Sequence, residues 1–251
     1  MSSSHLLLIP SYNTGPRLLA TVKEALAVWQ PVWVVVDAST DGSHLPVVEL
    51  SLHEPALRVI MRDTNGGKGA AVLTGAEEAL AAGFTHALVM DADGQHPADR
   101  IVDFMSVSAQ NPDALVLGKP VFGPEAPQLR LQGRKLSVAL VHLELLGRGI
   151  DDPLFGFRVY PLAPLVRTLR STRFARRYDF DPEVAVRMVW NGTPTINIPA
   201  TCRYIAKSDG GISHFHYLRD NLRMIWLHSR LLVQLLWRWP AALRYQRRLR
   251  G

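Results

Sequence analysis

The sequence predicts an α/β protein built on a mostly parallel sheet, with helices on both faces. Three observations predict it. Apolar runs of strand length alternate with segments of helical periodicity over residues 5–117. The runs are continuously apolar, as in strands buried on both faces. Each run ends in a cluster of polar turn residues, which places those clusters together at the carboxyl edge of the sheet.

The elements follow in order. Residues 5–10 form an apolar strand closed by Pro10, and residues 17–29 carry helical spacing with Pro16 near the start. Residues 32–37 (VWVVVD) are a β-branched strand leading into ASTDGS. Residues 57–61 are a third strand, entering the loop DTNGGKG. A helix over 70–82 is ended by Gly83. Residues 86–90 are a fourth strand ending in DADGQHP; a helix over 101–109 and a strand over 114–117 follow. The second half is less regular: helix 129–146, short strand 155–160, helix 181–190 with Pro182 in its first turn, and strand 195–204. A long helix over 214–239 is stopped by Pro240. The expected division is a domain over 1–211, then a basic amphipathic helix and tail over 212–251.

The 251 residues suffice for one large α/β domain or two small ones. At 47% hydrophobic and 20% charged, the composition excludes disorder. The single cysteine, Cys202, excludes an internal disulfide framework and a multi-cysteine zinc site. The first ten residues lack the basic start of a signal peptide. The net charge of +6 is unevenly placed. Residues 217–251 hold eight arginines against one acid, and three of the six tryptophans, leaving the body near neutral. That pattern points to a membrane surface and away from nucleic acid.

Asp91-Ala92-Asp93 closes the fourth strand. Residues i and i+2 of an extended segment point the same way, so both carboxylates can face the cleft. They suit a hard divalent ion with positions open for phosphate oxygens, and Gln95 can add a carbonyl; a plain surface turn is the other reading. Asn65-Gly66-Gly67-Lys68-Gly69 opens a helix, where glycines admit close approach and the helix start favours an anion. A simple glycine-rich turn would look the same, and the loop is not a Walker A motif, because Gly69 follows Lys68. Asp37 can accept hydrogen bonds from a nucleoside, while Ser39, Thr40 and Asp41 suit helix capping equally. Arg158 and Arg203 can clamp a diphosphate or form surface salt bridges. Asp179, Asp181 and Glu183 sit at a helix start, either for the helix dipole or as a base or acceptor-positioning group. His214 and His216 carry no assignment.

Taken in order, Ile9-Pro-Ser-Tyr-Asn13, Val35-Val-Asp-Ala-Ser-Thr-Asp-Gly42, Asn65-Gly-Gly-Lys-Gly-Ala70 and Met90-Asp-Ala-Asp-Gly-Gln-His-Pro97 resemble the family 2 inverting glycosyltransferases of GT-A fold. Phe155-Gly-Phe-Arg158, Tyr178-Asp-Phe-Asp-Pro-Glu183 and Arg203-Tyr-Ile-Ala-Lys-Ser208 continue the likeness, which is to the dolichyl- and polyprenyl-phosphate sugar transferases in particular. The resemblance implies a Rossmann-like sheet and an enzyme of glycolipid biosynthesis. It would carry a sugar from a UDP-, GDP- or dTDP-linked donor to a lipid-linked acceptor, a polyprenyl phosphate or a glycolipid. It implies Mg²⁺ or Mn²⁺ on Asp91, Asp93 and Gln95. It places Pro10, Tyr12, Asn13 and Asp37 at the nucleoside, and Gly67, Lys68 and Ala92 at the donor. Arg158 and Arg203 fall on phosphates. Asp181, then Glu183, is the base if the acceptor is a hydroxyl; a phosphate acceptor needs none. Ala38 stands where the family usually has a second acid, and Ala206 and Asp209 replace a glycine and a lysine of the late motif. An impaired sugar-nucleotide-binding or scaffold protein and a nucleotidyltransferase are the alternatives.

Three arginines inside the apolar run of the last helix make a membrane span costly, whereas an interfacial helix keeps them at headgroups. A helix packed on the body or on a second copy is the competing expectation. The reading is a cytoplasmic protein, peripheral on the cytoplasmic face of the membrane.

Overall fold

The computed structural model describes residues 4–123, 128–203 and 217–250. Seven strands form one sheet in the order β3-β2-β1-β4-β6-β5-β7. They are β1 (His5–Ser11), β2 (Val32–Asp37), β3 (Leu57–Arg62), β4 (His86–Val89), β5 (Leu115–Phe122), β6 (Arg158–Pro161) and β7 (Thr195–Cys202). β6 runs antiparallel to β4 and β5, and the other pairings are parallel.

Alternate residues of β1, β2 and β4 enter opposite cores, which is why these strands read as unbroken apolar runs, whereas β3 and β7 are partly exposed. Leu7 and Ile9 of β1 pack with α1 (Arg17–Leu26), α2 (Leu45–Ser51) and α4 (Ile101–Gln110) on one face. Leu6 and Leu8 pack on the other face with α3 (Lys68–Ala81), α5 (Gln128–Glu144), α6 (Leu162–Arg170), α7 (Phe180–Trp190) and α8 (Tyr217–Arg250). Gly75 lets α3 lie close on the sheet: a Cβ there would fall 2.5 Å from Leu8.

The structure departs from the expected elements in four places. α2 and α6 were not anticipated, although α6 carries Leu162, Leu165, Val166 and Leu169 at helical spacing. The expected strand over 155–160 begins only at Arg158, and Phe155 and Phe157 pack edge-on against His96. α8 does not stop at Pro240 but runs on to Arg250. Pro240 frees the carbonyl of Leu236 on the outer side of the helix, where water can serve it. The last turns are pinned to the body: Tyr245 Oη meets Thr195 Oγ1 at 2.5 Å, and Gln246 Nε2 donates to Arg148 O at 2.6 Å. The expected boundary at 211–212, His214, His216 and residues 204–208 of the late motif lie outside the described residues.

Candidate active site

The chain steps from β1 through β2 to β3 on one side and then crosses back to β4 on the other side of β1. The crevice at such a reversal of strand order is the usual ligand position in open α/β sheets. Loops following β1, β2, β3 and β4 meet there with the segment before β6 and the start of α7.

Backbone hydrogen bonds to side chains fix the outer loops. Thr40 N donates to Asn13 Oδ1 (2.8 Å), Asn13 N to Ser39 Oγ (3.1 Å) and Gly15 N to Asp41 Oδ2 (3.0 Å). Ser39, Thr40 and Asp41 therefore brace two loops and cap no helix. Pro10 is buried under them, and Tyr12 is partly exposed at the rim.

Asp37 anchors the glycine-rich loop. It is buried at the end of β2, accepts from Gly66 N (3.0 Å) and Gly67 N (2.6 Å), and has Arg62 Nε at 3.4 Å. A buried carboxylate needs such donors, and the loop amides are the nearest ones. The same bonds occupy Gly67. Its amide is spent on Asp37, the Gly69 amide donates to Arg176 O at 2.8 Å, and Arg176 and Arg177 cover the Gly67 α-carbon.

The acidic turn after β4 is held differently. Gln95 N donates to Asp93 Oδ1 at 3.0 Å, and Asp91 N to His96 Nδ1 at 2.9 Å. His96 is buried edge-on against Phe155 and Phe157, and burial pushes its pKa down, which keeps the ring neutral. Sequence reasoning missed this residue as a positioning group, though it lies three places after Asp93. Lys68 Nζ bridges Asp91 Oδ1 and Asp181 Oδ2, both at 2.7 Å. Burial opposes charge on Asp91, but the Lys68 ammonium outweighs it and holds the carboxyl below the usual range. Burial, and then the Asp91 charge, push Asp93 above that range. Asp181 Oδ1 is buried with no hydrogen-bond partner.

Two further residues are committed to protein partners. Arg158 is fully buried and directed at backbone carbonyls. It donates to Phe155 O (2.8 Å), Pro153 O (2.6 Å) and Asp181 O (2.5 Å), bracing the loop before β6 against α7. Glu183 faces away from this cluster. It is fully buried on the side of α7 away from Asp181, holding Arg230 bidentately (2.6 and 2.7 Å) and Arg187 (2.8 Å). Arg203 is exposed beside the acidic turn, where its N–H donates to Gln95 O at 3.0 Å. The site therefore gathers Asp91, Asp93, Gln95, Lys68, Asp181 and Arg203, with Ala92 buried beneath them. A groove of about 350 Å³ lined by Arg167, Thr168, Asn191 and Arg248 lies at the opposite edge of the sheet and shares none of these residues.

The sequence profile of glycosyl transferase family 2 matches residues 7–165. The chain is 29% identical over 202 residues to the polyprenol monophosphomannose synthase of Mycolicibacterium smegmatis, covering 78% of this chain and 76% of that one. It is 25% identical to the undecaprenyl-phosphate mannosyltransferase of Micrococcus luteus, covering 78% and 82%. Among solved structures it resembles glucosyl-3-phosphoglycerate synthase from Mycobacterium tuberculosis in complex with Mn²⁺, UDP-glucose and phosphoglyceric acid. The TM-score is 0.64 at 16% identity, over 94% of this chain and 80% of that one. It also resembles a mannosyltransferase from Pyrobaculum calidifontis in complex with GDP-Man and Mn²⁺, with a TM-score of 0.59 at 18% identity over 96% and 73%.

Proposed function

The chain belongs to glycosyl transferase family 2 and is a GT-A glycosyltransferase close to the polyprenyl-phosphate sugar transferases, and from that premise we propose that it transfers a sugar from a nucleotide-sugar donor to a polyprenyl phosphate at a membrane surface, with inversion. The observation that carries this reading is the Asp91–Asp93–Gln95 turn at the end of β4, beside the reversal of strand order. Two carboxylates and an amide oxygen suit Mg²⁺ or Mn²⁺, and the mutual repulsion of Asp91 and Asp93 is the kind a dication relieves. Such an ion would be held by Asp91, Asp93 and Gln95, and when bound supplies positive charge against the departing diphosphate.

The chain's own residues do the rest. Tyr12 and the braced Asn13 loop border the nucleoside side. Arg203 stands beside the acidic turn and can donate bidentately to phosphate oxygens. An acceptor phosphate oxygen attacks the anomeric carbon from the face opposite the leaving group. The bond from that carbon to the diphosphate oxygen breaks, and its electron pair departs with the nucleoside diphosphate. A phosphate acceptor is already an anion at pH 7, so Asp181 positions groups and takes up no proton.

The reading includes peripheral attachment on the cytoplasmic face. No helix among the described residues is long and apolar enough to cross a membrane. α8 buries Leu227, Leu231, Ala242 and Tyr245 against the body and turns Leu222, Ile225, Trp226, Val233, Leu236 and Trp237 outward. Arg223 and Arg238 are exposed on the same helix, as in helices that lie in the interface, whereas Arg230 turns inward to Glu183. The test is transfer from labelled UDP-glucose or GDP-mannose to undecaprenyl phosphate, with Mn²⁺ and with chelator. A lipid-linked sugar with release of nucleoside diphosphate supports the reading. Pyrophosphate released from a nucleoside triphosphate and a sugar 1-phosphate, supplied in a parallel assay in place of the sugar nucleotide, would make the chain a nucleotidyltransferase, and donor binding without turnover would make it an impaired binder.

A further inference from the structure

The bridge made by Lys68 is not explained by the transfer reaction. Its ammonium lies between Asp91 Oδ1 and Asp181 Oδ2, two carboxylates brought together from β4 and α7. It is also walled in. Gly156, in the loop before β6, packs against Nζ so closely that any Cβ there would strike it. The same Cβ would lie 3.1 Å from Asp91 Oδ2 and 3.3 Å from Asp181 Oδ1, so both free oxygens open onto one space beside the ammonium. Asp91 Oδ2 lies 3.5 Å from His96 Nε2, and Asp181 Oδ1 is buried without a hydrogen-bond partner among the described residues. Among the described residues, no group of three acidic, histidine or cysteine side chains is arranged to hold a metal ion. The position where the charge of Asp91 would draw a dication already contains a cation belonging to the chain.

We infer that Lys68 is a resident counter-ion: it neutralises Asp91 and Asp181 while the donor site is empty, blocks metal binding by the free enzyme, and yields Asp91 only when metal and nucleoside diphosphate enter together. The physical basis is like-charge repulsion within a few ångströms of a partly desolvated carboxylate. The phosphates of the nucleotide change the balance. They bring negative charge that compensates the dication, and they offer the displaced ammonium a new partner, while Asp181 retains it from the other side. Binding is therefore ordered, and the site does not accumulate metal without donor. This inference rests on the metal reading of Asp91 and Asp93.

The experiment is a Mn²⁺ titration of the full chain, read by electron paramagnetic resonance of free Mn²⁺, without nucleotide and with UDP or GDP. Wild type should bind Mn²⁺ weakly alone and tightly with nucleotide. Lys68→Met should bind Mn²⁺ alone about tenfold more tightly, or more, and depend far less on nucleotide. Its melting temperature should start below wild type and rise with Mn²⁺ alone, since a ligand of the native state stabilises it. Should Lys68→Met fail to fold, Lys68→Met combined with Asp181→Asn removes the repulsion between the two carboxylates and is read in the same way. Nucleotide-dependent Mn²⁺ binding in wild type, with no tighter binding of Mn²⁺ alone in either variant, overturns the inference and leaves the metal reading standing. Absence of Mn²⁺ binding in wild type even with nucleotide overturns both.

Discussion

Glu183→Gln distinguishes a structural acid from a base two residues away from Asp181. Glu183 is fully buried and receives three charge-assisted hydrogen bonds, two from Arg230 and one from Arg187, at 2.6 to 2.8 Å. Arg230 is itself almost buried and also lies over the Phe174 ring at 3.6 Å. The amide keeps the shape and one acceptor oxygen but leaves two guanidiniums against a neutral group. Breaking a buried pair in this way costs about 3–5 kcal/mol, and the retained acceptor argues for about 3 kcal/mol. For a chain of this size that lowers the melting temperature by about 6–12 °C. Urea unfolding measures the loss, and kcat at a temperature where the variant stays folded measures the chemistry. The rate should stay within about twofold, whereas loss of a general base costs about 10²-fold or more. Unchanged stability with a rate fall of that size would refute the assignment and return Glu183 to the reaction.

Asp93→Asn should remove most Mn²⁺-dependent donor binding in titration calorimetry while the fold persists, and unchanged binding would displace Asp93 from the metal. Serines in place of Trp226, Leu236 and Trp237 should abolish sedimentation with anionic liposomes while shifting stability by only about 0.5 kcal/mol per site, because all three are well exposed; undiminished sedimentation would place the membrane contact elsewhere. His5 stacks on His86, is bonded to Ser108 and is pushed down to about 4 by burial and then by His86, against 6.5 in the unfolded chain. Its stabilisation is complete above about pH 6.5 and is lost as pH falls toward 4, because the unfolded chain takes up a proton that the fold refuses. His5→Gln should flatten that part of the stability–pH curve, and an unaltered slope would assign it to another group.

The sheet was legible because burial on both faces forces apolar residues at every position of a strand, a pattern that needs no knowledge of neighbours. The loops at the carboxyl ends were legible for the same reason: once the strands are parallel, Asn13, Asp37, Lys68 and Asp91 must meet. Short α2 and the continuation of α8 past Pro240 were not legible, since packing at Tyr245 and Gln246 overrides the local cost of the proline. What the tertiary structure alone decided is the partner of each charge. Lys68 meets Asp181 across 113 residues, and Glu183 meets Arg230 across 47. Residue type makes an arginine or a carboxylate eligible for a ligand, a neighbour or a carbonyl alike. Arg158, Glu183 and Asp37 were read as ligand-facing for that reason, and burial in the folded chain committed them to the protein itself, because a desolvated charge must take the nearest complementary group.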